Sequence, residues 1–160
     1  MDMQSHTEQQ NSDTYDVVMV VDKDAEAMSP DAQELLALVA QHVQEEFPGK
    51  EIDIESATRA IMNRSAFAVV VRVNGERAGY LFAALSQTIV GSQPLCMIQS
   101  RYVAPKFRST EAYRTLVASA MTVARSNKCS WLMVECDPDG KNPAEWLAME
   151  PIKVTYGMRL

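Results

Sequence analysis

The spacing of apolar residues changes period several times along the chain, and each change marks an element. "YDVVMVVD" (15–22) is a β-branched run ending in charge, which predicts a first strand. Ser29 then offers an N-cap and Pro30 a first helical residue, and Pro48-Gly49 closes the helix near Phe47. Within it Leu35, Val39 and Val43 fall four apart, with Leu36 and Phe47 beside them, so one face is expected to pack on a sheet. A second, shorter helix is expected from Ile54 to Arg64, with Ala57, Ala60 and Ile61 inward.

The period then drops to that of strands. "AFAVVVRV" (66–73) and "RAGYLFAALSQT" (77–88) flank Asn74-Gly75-Glu76, and Asn-Gly between strand-like runs signals a hairpin because both residues tolerate positive φ. Gly91-Ser92-Gln93-Pro94 marks the next turn, and "LCMIQSRYV" (95–103) the next strand. From Ser109 to about Asn127 the helical period returns, with Tyr113, Leu116, Val117, Ala120, Met121 and Ala124 on one face. "WLMVEC" (131–136) is apolar almost throughout, the pattern of a central strand covered on both faces. Trp131 and Trp146 read as core anchors. Strand, helix and strand from Leu95 to Cys136 imply a parallel crossover. "DPDGKNP", a short helix over Glu145–Met149 and a closing strand "IKVTYGMRL" complete the chain.

Composition narrows the class. With 160 residues the chain suits one domain, expected at 15–160 behind a flexible polar arm at 1–14. The arm has neither the basic start nor the apolar core of a signal peptide, and no apolar run is long enough to span a bilayer. A net charge of −6 argues against nucleic acid as a partner, because that affinity comes from positive charge over phosphate. The three cysteines, Cys96, Cys129 and Cys136, read as free thiols in a reducing compartment. Only His6 and His42 are present and no metal-ligand spacing occurs, so no metal is expected. The cytoplasm is the expected location.

One stretch carries candidate chemistry. After the strand ends at Val103, "APKFRSTEAYR" places Lys106, Arg108 and Arg114 around a helix start, with Arg101 just upstream. A helix N-terminus has unpaired N–H groups and positive partial charge, so such a loop suits an anion.

The element order, with Val103, Pro105 and Arg108 at the strand exit, resembles the Gcn5-related N-acetyltransferase (GNAT) superfamily over roughly residues 15 to 160. The resemblance implies an α/β (α+β) fold: a mixed, mostly antiparallel sheet with a central parallel strand pair and helices on both faces. It implies acetyl-CoA as cofactor, its pantetheine arm lying where the fourth and fifth strands splay. Val103, Lys106, Arg108, Ser109 and Arg114 are then the candidate cofactor-binding residues.

Two small-residue positions of the family's loop are filled here by Glu111 and Tyr113. A carboxylate some 4–6 Å from a phosphate charge costs about 3–4 kcal/mol before salt screening. The family's tyrosine acid falls on Met149, seven residues beyond Asn142, and no carboxylate base lies on "LCMIQSRYV". Glu135, Asp137 and Tyr156 are the remaining catalytic candidates. Two functions follow. The chain is either a catalytically degenerate binding or assembly module with a protein partner or self-association, or an acetyl-CoA-dependent N-acetyltransferase acting on an amine of a small molecule or protein. Diverged members of this kind resemble phage-encoded virion components, which would place the chain in the host cytoplasm or the virion.

Overall fold

The computed structural model describes residues 12–20, 29–87 and 93–134. Among these residues five strands and three helices follow one another as β1 (Tyr15–Val20), α1 (Pro30–Glu46), α2 (Ile54–Met62), β2 (Ala66–Val73), β3 (Glu76–Gln87), β4 (Pro94–Val103), a 3-10 turn (Pro105–Phe107), α3 (Ala112–Ser126) and β5 (Trp131–Val134). The strands form one sheet in sequence order. The first four are antiparallel neighbours, and β4 and β5 are parallel. This is the mixed sheet with a parallel pair expected from the sequence. The Gly91-Ser92 turn, the 145–149 helix, the closing strand and Trp146 lie outside the described residues, as do His6, Cys136, Asn142 and Met149.

Local chemistry sets the element ends. Ser29 caps α1, its hydroxyl accepting from the Ala32 N–H at 3.2 Å, with Pro30 next in line. Asp53 does the same for α2 through the Ser56 N–H at 2.9 Å. Asn74 and Gly75 both take positive φ, 52° and 82°, as a tight hairpin requires. Asp13 and Thr14, read from sequence as the end of the polar arm, are tied to that hairpin. The Thr14 N–H donates to Asn74 Oδ1 and the Asn74 side-chain amide to Asp13 Oδ1, both at 2.9 Å.

The core centres on β2. Residues 66 to 71 are all buried, and since consecutive strand residues point to opposite faces, both faces of β2 are covered. That role was expected of β5. Instead β5 is the last strand of the described sheet, Trp131 is 48% exposed, and Leu132, Met133 and Val134 are only half-buried. Apolar continuity alone did not separate the two runs. The buried stripe of α1 also differs: Ala32, Leu35, Leu38 and His42 face the core, while Phe47 at the helix end is 49% exposed. Arg72, the one charged residue of β2, clamps α1 to the sheet. It donates to Glu34 at 3.0 Å, Asp31 at 2.9 Å and Asp16 at 3.1 Å.

Two irregularities position the candidate site. In the β3–β4 ladder Phe82 pairs with Ser100 and Ala83 with Ile98, so Gln99 is bulged out of β4. On its other side β4 registers with β5 only from Leu95 to Ile98 among the described residues. The segment from Gln99 to Val103 therefore runs on beyond that last described pair and feeds the 3-10 turn.

Candidate functional site

The loop between β4 and α3 was expected to open directly into a helix at Ser109. A 3-10 turn intervenes, and α3 begins at Ala112. Thr110 explains the delay. Its hydroxyl donates to the Phe107 carbonyl at 2.6 Å and accepts from the Ala112 N–H at 3.2 Å, while its own N–H bonds Phe107 at 3.0 Å. Such local side-chain bonds favour a turn over continued helix. Glu111 is consequently the N-cap residue rather than part of the first turn, and its side chain makes no capping bond.

Several donors and cations of this loop are paired within the chain. The Glu111 N–H donates to the Tyr15 hydroxyl on β1 at 3.2 Å. The Glu111 carboxylate pairs with Arg114 at 3.2 Å. Arg108 donates through Nε to the Val103 carbonyl at 3.0 Å and through Nη2 to Glu45 at 3.3 Å, with Glu46 at 3.9 Å. Its guanidinium also lies 5.9 Å from the Tyr102 ring centroid. Lys106 pairs with Glu76 and sits over the Phe107 ring. Of the five cofactor candidates, Val103 is buried and Ser109 is exposed in the turn. Lys106, Arg108 and Arg114 each pair with a carboxylate of their own: Glu76 for Lys106, Glu45 and Glu46 for Arg108, and Glu111 for Arg114. Glu135, Asp137 and Tyr156 lie outside the described residues.

Behind the loop, the end of α1 meets β3 and β4 through polar groups that sequence reasoning passed over. His42 is buried, bonded through Nδ1 to the Tyr80 hydroxyl at 2.8 Å and through Nε2 to Glu46 at 3.0 Å. Tyr80 in turn meets the Ser100 hydroxyl at 2.8 Å. Tyr102 stacks on the His42 ring at 5.0 Å and donates its hydroxyl to Glu45 at 2.7 Å. That bond, with lesser help from Gln41 and Arg108 against some desolvation, holds the Glu45 carboxyl below the usual range. Burial pushes the Tyr80 and Tyr102 phenols up, and for Tyr102 the Glu45 bond adds to it. The Cys96 thiol is pushed up to about 11, by burial first and then by Cys129, so it is not a ready nucleophile. Among the described residues, no group of three His, Cys, Asp or Glu could hold a metal ion. No described helix is long and apolar enough to cross a membrane.

The sequence held some signal for this cluster. His42 lies four residues beyond Leu38 and seven beyond Leu35, on the buried stripe. Tyr80 and Tyr102 sit inside apolar strands, where a phenol needs a partner. Nothing in the spacing could link Tyr15 to Glu111, which are 96 positions apart.

No protein-family model and no curated protein matches the chain. Solved structures do. A ribosomal-protein-alanine N-acetyltransferase from Brucella melitensis biovar Abortus 2308 superposes with a TM-score of 0.67 at 19% identity, covering 92% of this chain and 99% of that one. The chain has the GNAT acetyltransferase fold. Aminoglycoside N-acetyltransferase AAC(6')-Iy in complex with CoA gives 0.75 at 14% identity, over 94% and 97% of the two chains. Glucosamine-6-phosphate N-acetyltransferase from Arabidopsis thaliana gives 0.68 at 16%, over 91% and 98%. At these identities the likeness establishes the GNAT fold and leaves the chemistry to this chain's own residues.

Proposed function

We propose that this chain is a GNAT-fold protein that has given up acetyl-CoA turnover and acts as a binding or assembly module. The observation that carries the reading is the closed phosphate loop. The Glu111 N–H is taken by Tyr15, and Arg108, Lys106 and Arg114 are held by Glu45, Glu76 and Glu111. A phosphate entering there must displace each of these partners and meet the carboxylates they leave behind. The same surface, rich in paired charges of both signs, suits a protein partner or a second copy of the chain. A phage virion or its assembly is the setting that diverged members of the fold suggest, with the host cytoplasm as the alternative.

A second reading, an acetyl-CoA-dependent N-acetyltransferase acting on an amine, draws on the bulge at Gln99. There β4 runs on beyond its last described pair with β5, where the fold's cofactor arm would lie. Calorimetric titration of the native protein with acetyl-CoA at moderate salt separates the two. The module reading expects no saturable heat. Saturable binding with release of CoA upon addition of a primary amine establishes the enzyme.

A further inference from the structure

His42, Tyr80, Ser100 and Glu46 form a hydrogen-bonded line from the sheet to the end of α1, which meets the phosphate loop at Glu46, 3.9 Å from Arg108. The directions of its bonds follow from chemistry. Glu46 as a carboxylate only accepts, so His42 Nε2 carries the proton at that contact. A neutral imidazole then accepts at Nδ1, which makes the Tyr80 hydroxyl the donor across the 2.8 Å contact. With its hydrogen committed, the Tyr80 oxygen is left to accept from the Ser100 hydroxyl, also at 2.8 Å. The order is Ser100 to Tyr80 to His42 to Glu46. The His42 ring is fixed by Tyr102 stacked at 5.0 Å and by Phe47 edge-on at 5.5 Å. The Tyr102 hydroxyl is spent on Glu45 and does not compete for either nitrogen.

Protonating His42 at Nδ1 would reverse the Ser100–Tyr80–His42 contacts without moving a heavy atom. The proton leaving Ser100 Oγ goes to the Tyr80 oxygen as the Tyr80 proton goes to Nδ1, and the imidazolium rests between Tyr80 and the Glu46 carboxylate. Nucleophilic hydroxyls in enzymes are activated by this kind of arrangement: a base within hydrogen-bond reach, oriented by a further group. Here the tyrosine adds one link. Ser100 is the first residue after the bulged Gln99, half-buried, and two residues beyond the last described β4 pair with β5.

We propose that Ser100 is an acyl-accepting nucleophile, activated through Tyr80 and His42, for activated acyl esters or thioesters. Its Oγ forms a bond to the acyl carbonyl carbon and its proton passes down the line to His42. The bond from that carbon to the ester oxygen or thioester sulfur then breaks. The leaving oxygen or sulfur recovers the proton, giving O-acyl-Ser100 and a free alcohol or thiol. The reaction needs no phosphate contact, so a phosphate-free acyl ester tests it independently of whether the loop binds acetyl-CoA.

The test uses p-nitrophenyl acetate, which has no phosphate, on the full chain. Release of p-nitrophenol is followed by absorbance, and peptide mass spectrometry locates the acetyl group. The expected result is one acetyl group per chain on Ser100, absent in Ser100→Ala. The rate at Ser100 falls about 100-fold or more in Tyr80→Phe and in His42→Gln, the scale of a lost proton acceptor. Tyr80→Phe keeps the ring and removes only the hydroxyl, so it remains decisive if circular dichroism shows His42→Gln to be unfolded. Acetyl groups confined to lysines or the amino terminus would overturn the proposal. So would labelling of Ser100 at the native rate in a folded Tyr80→Phe protein, because a purely structural network predicts that outcome.

Discussion

Replacing Gly79 with alanine should destabilise the protein, and the structure gives the size. Gly79 lies on β3 opposite Val103, and its backbone is not left-handed, so alanine's preferred conformations are available to it. That alone would favour alanine by about 0.4–1 kcal/mol through the unfolded chain. Space decides otherwise. A Cβ at Gly79 would lie 2.4 Å from the Tyr102 carbonyl oxygen, 3.1 Å from Val103 Cγ2 and 3.2 Å from Val103 Cα. Close carbon–oxygen contacts between strands fall at about 3.3 Å or more, so the overlap is about 0.9 Å. The nearest atom is backbone and cannot swing away, so the β3–β4 ladder itself must shift. Overpacking of this kind costs about 1–3 kcal/mol, which leaves a net loss of about 1 kcal/mol after the entropic gain. For a chain of this size that is a fall of about 2–4 °C in Tm, read by circular dichroism or scanning calorimetry. An unchanged or raised Tm in Gly79→Ala would refute the packing of β3 against β4.

Leu116→Ala, at a fully buried position of α3, should cost about 2–5 kcal/mol in denaturant unfolding, whereas Leu132→Ala on half-buried β5 should cost distinctly less. Equal losses would return β5 to the centre of the core. Arg72→Met removes three ion pairs from a side chain only 19% exposed and should cost about 1–3 kcal/mol, against about 0.5 kcal/mol or less for Arg59→Met on the exposed α2 pair with Glu55. Similar small losses in both would show that Arg72 does not clamp α1 to the sheet.

Elements marked by punctuation were legible in the sequence. Ser29-Pro30, Pro48-Gly49 and Asn74-Gly75 act through their own backbone preferences, so α1 and the β2–β3 hairpin fall where those residues dictate. Burial was legible only in part. "AFAVVVRV" and "WLMVEC" are equally apolar, and which is covered on both faces depends on the sheet order, a property of the whole chain. The departure of Glu111 and Tyr113 from the family's small residues was plain. What answers it was not: Tyr15 meets Glu111 from the opposite end of the sequence, and Glu45 and Glu76 reach Arg108 and Lys106 from other elements. The hydrogen-bonded line through His42 and Tyr80 was hidden for the same reason, since hydrogen bonds between distant elements leave no periodic trace. The start of α3 was misplaced by three residues because Thr110 forms its bonds within the turn.

The central claim is that the chain's own groups occupy its phosphate loop. Calorimetric titration of Glu111→Gly/Tyr15→Phe with acetyl-CoA, beside the native protein, tests it most directly. The double substitution removes the carboxylate, frees the residue 111 N–H and releases Arg114, while Arg108 and Lys106 stay in place. Removing a charge repulsion of about 3–4 kcal/mol corresponds to about a hundredfold or more in affinity. The account predicts no measurable binding by the native protein and saturable binding by the variant, weakening as salt is raised. Native protein that binds acetyl-CoA as tightly as the variant would contradict it.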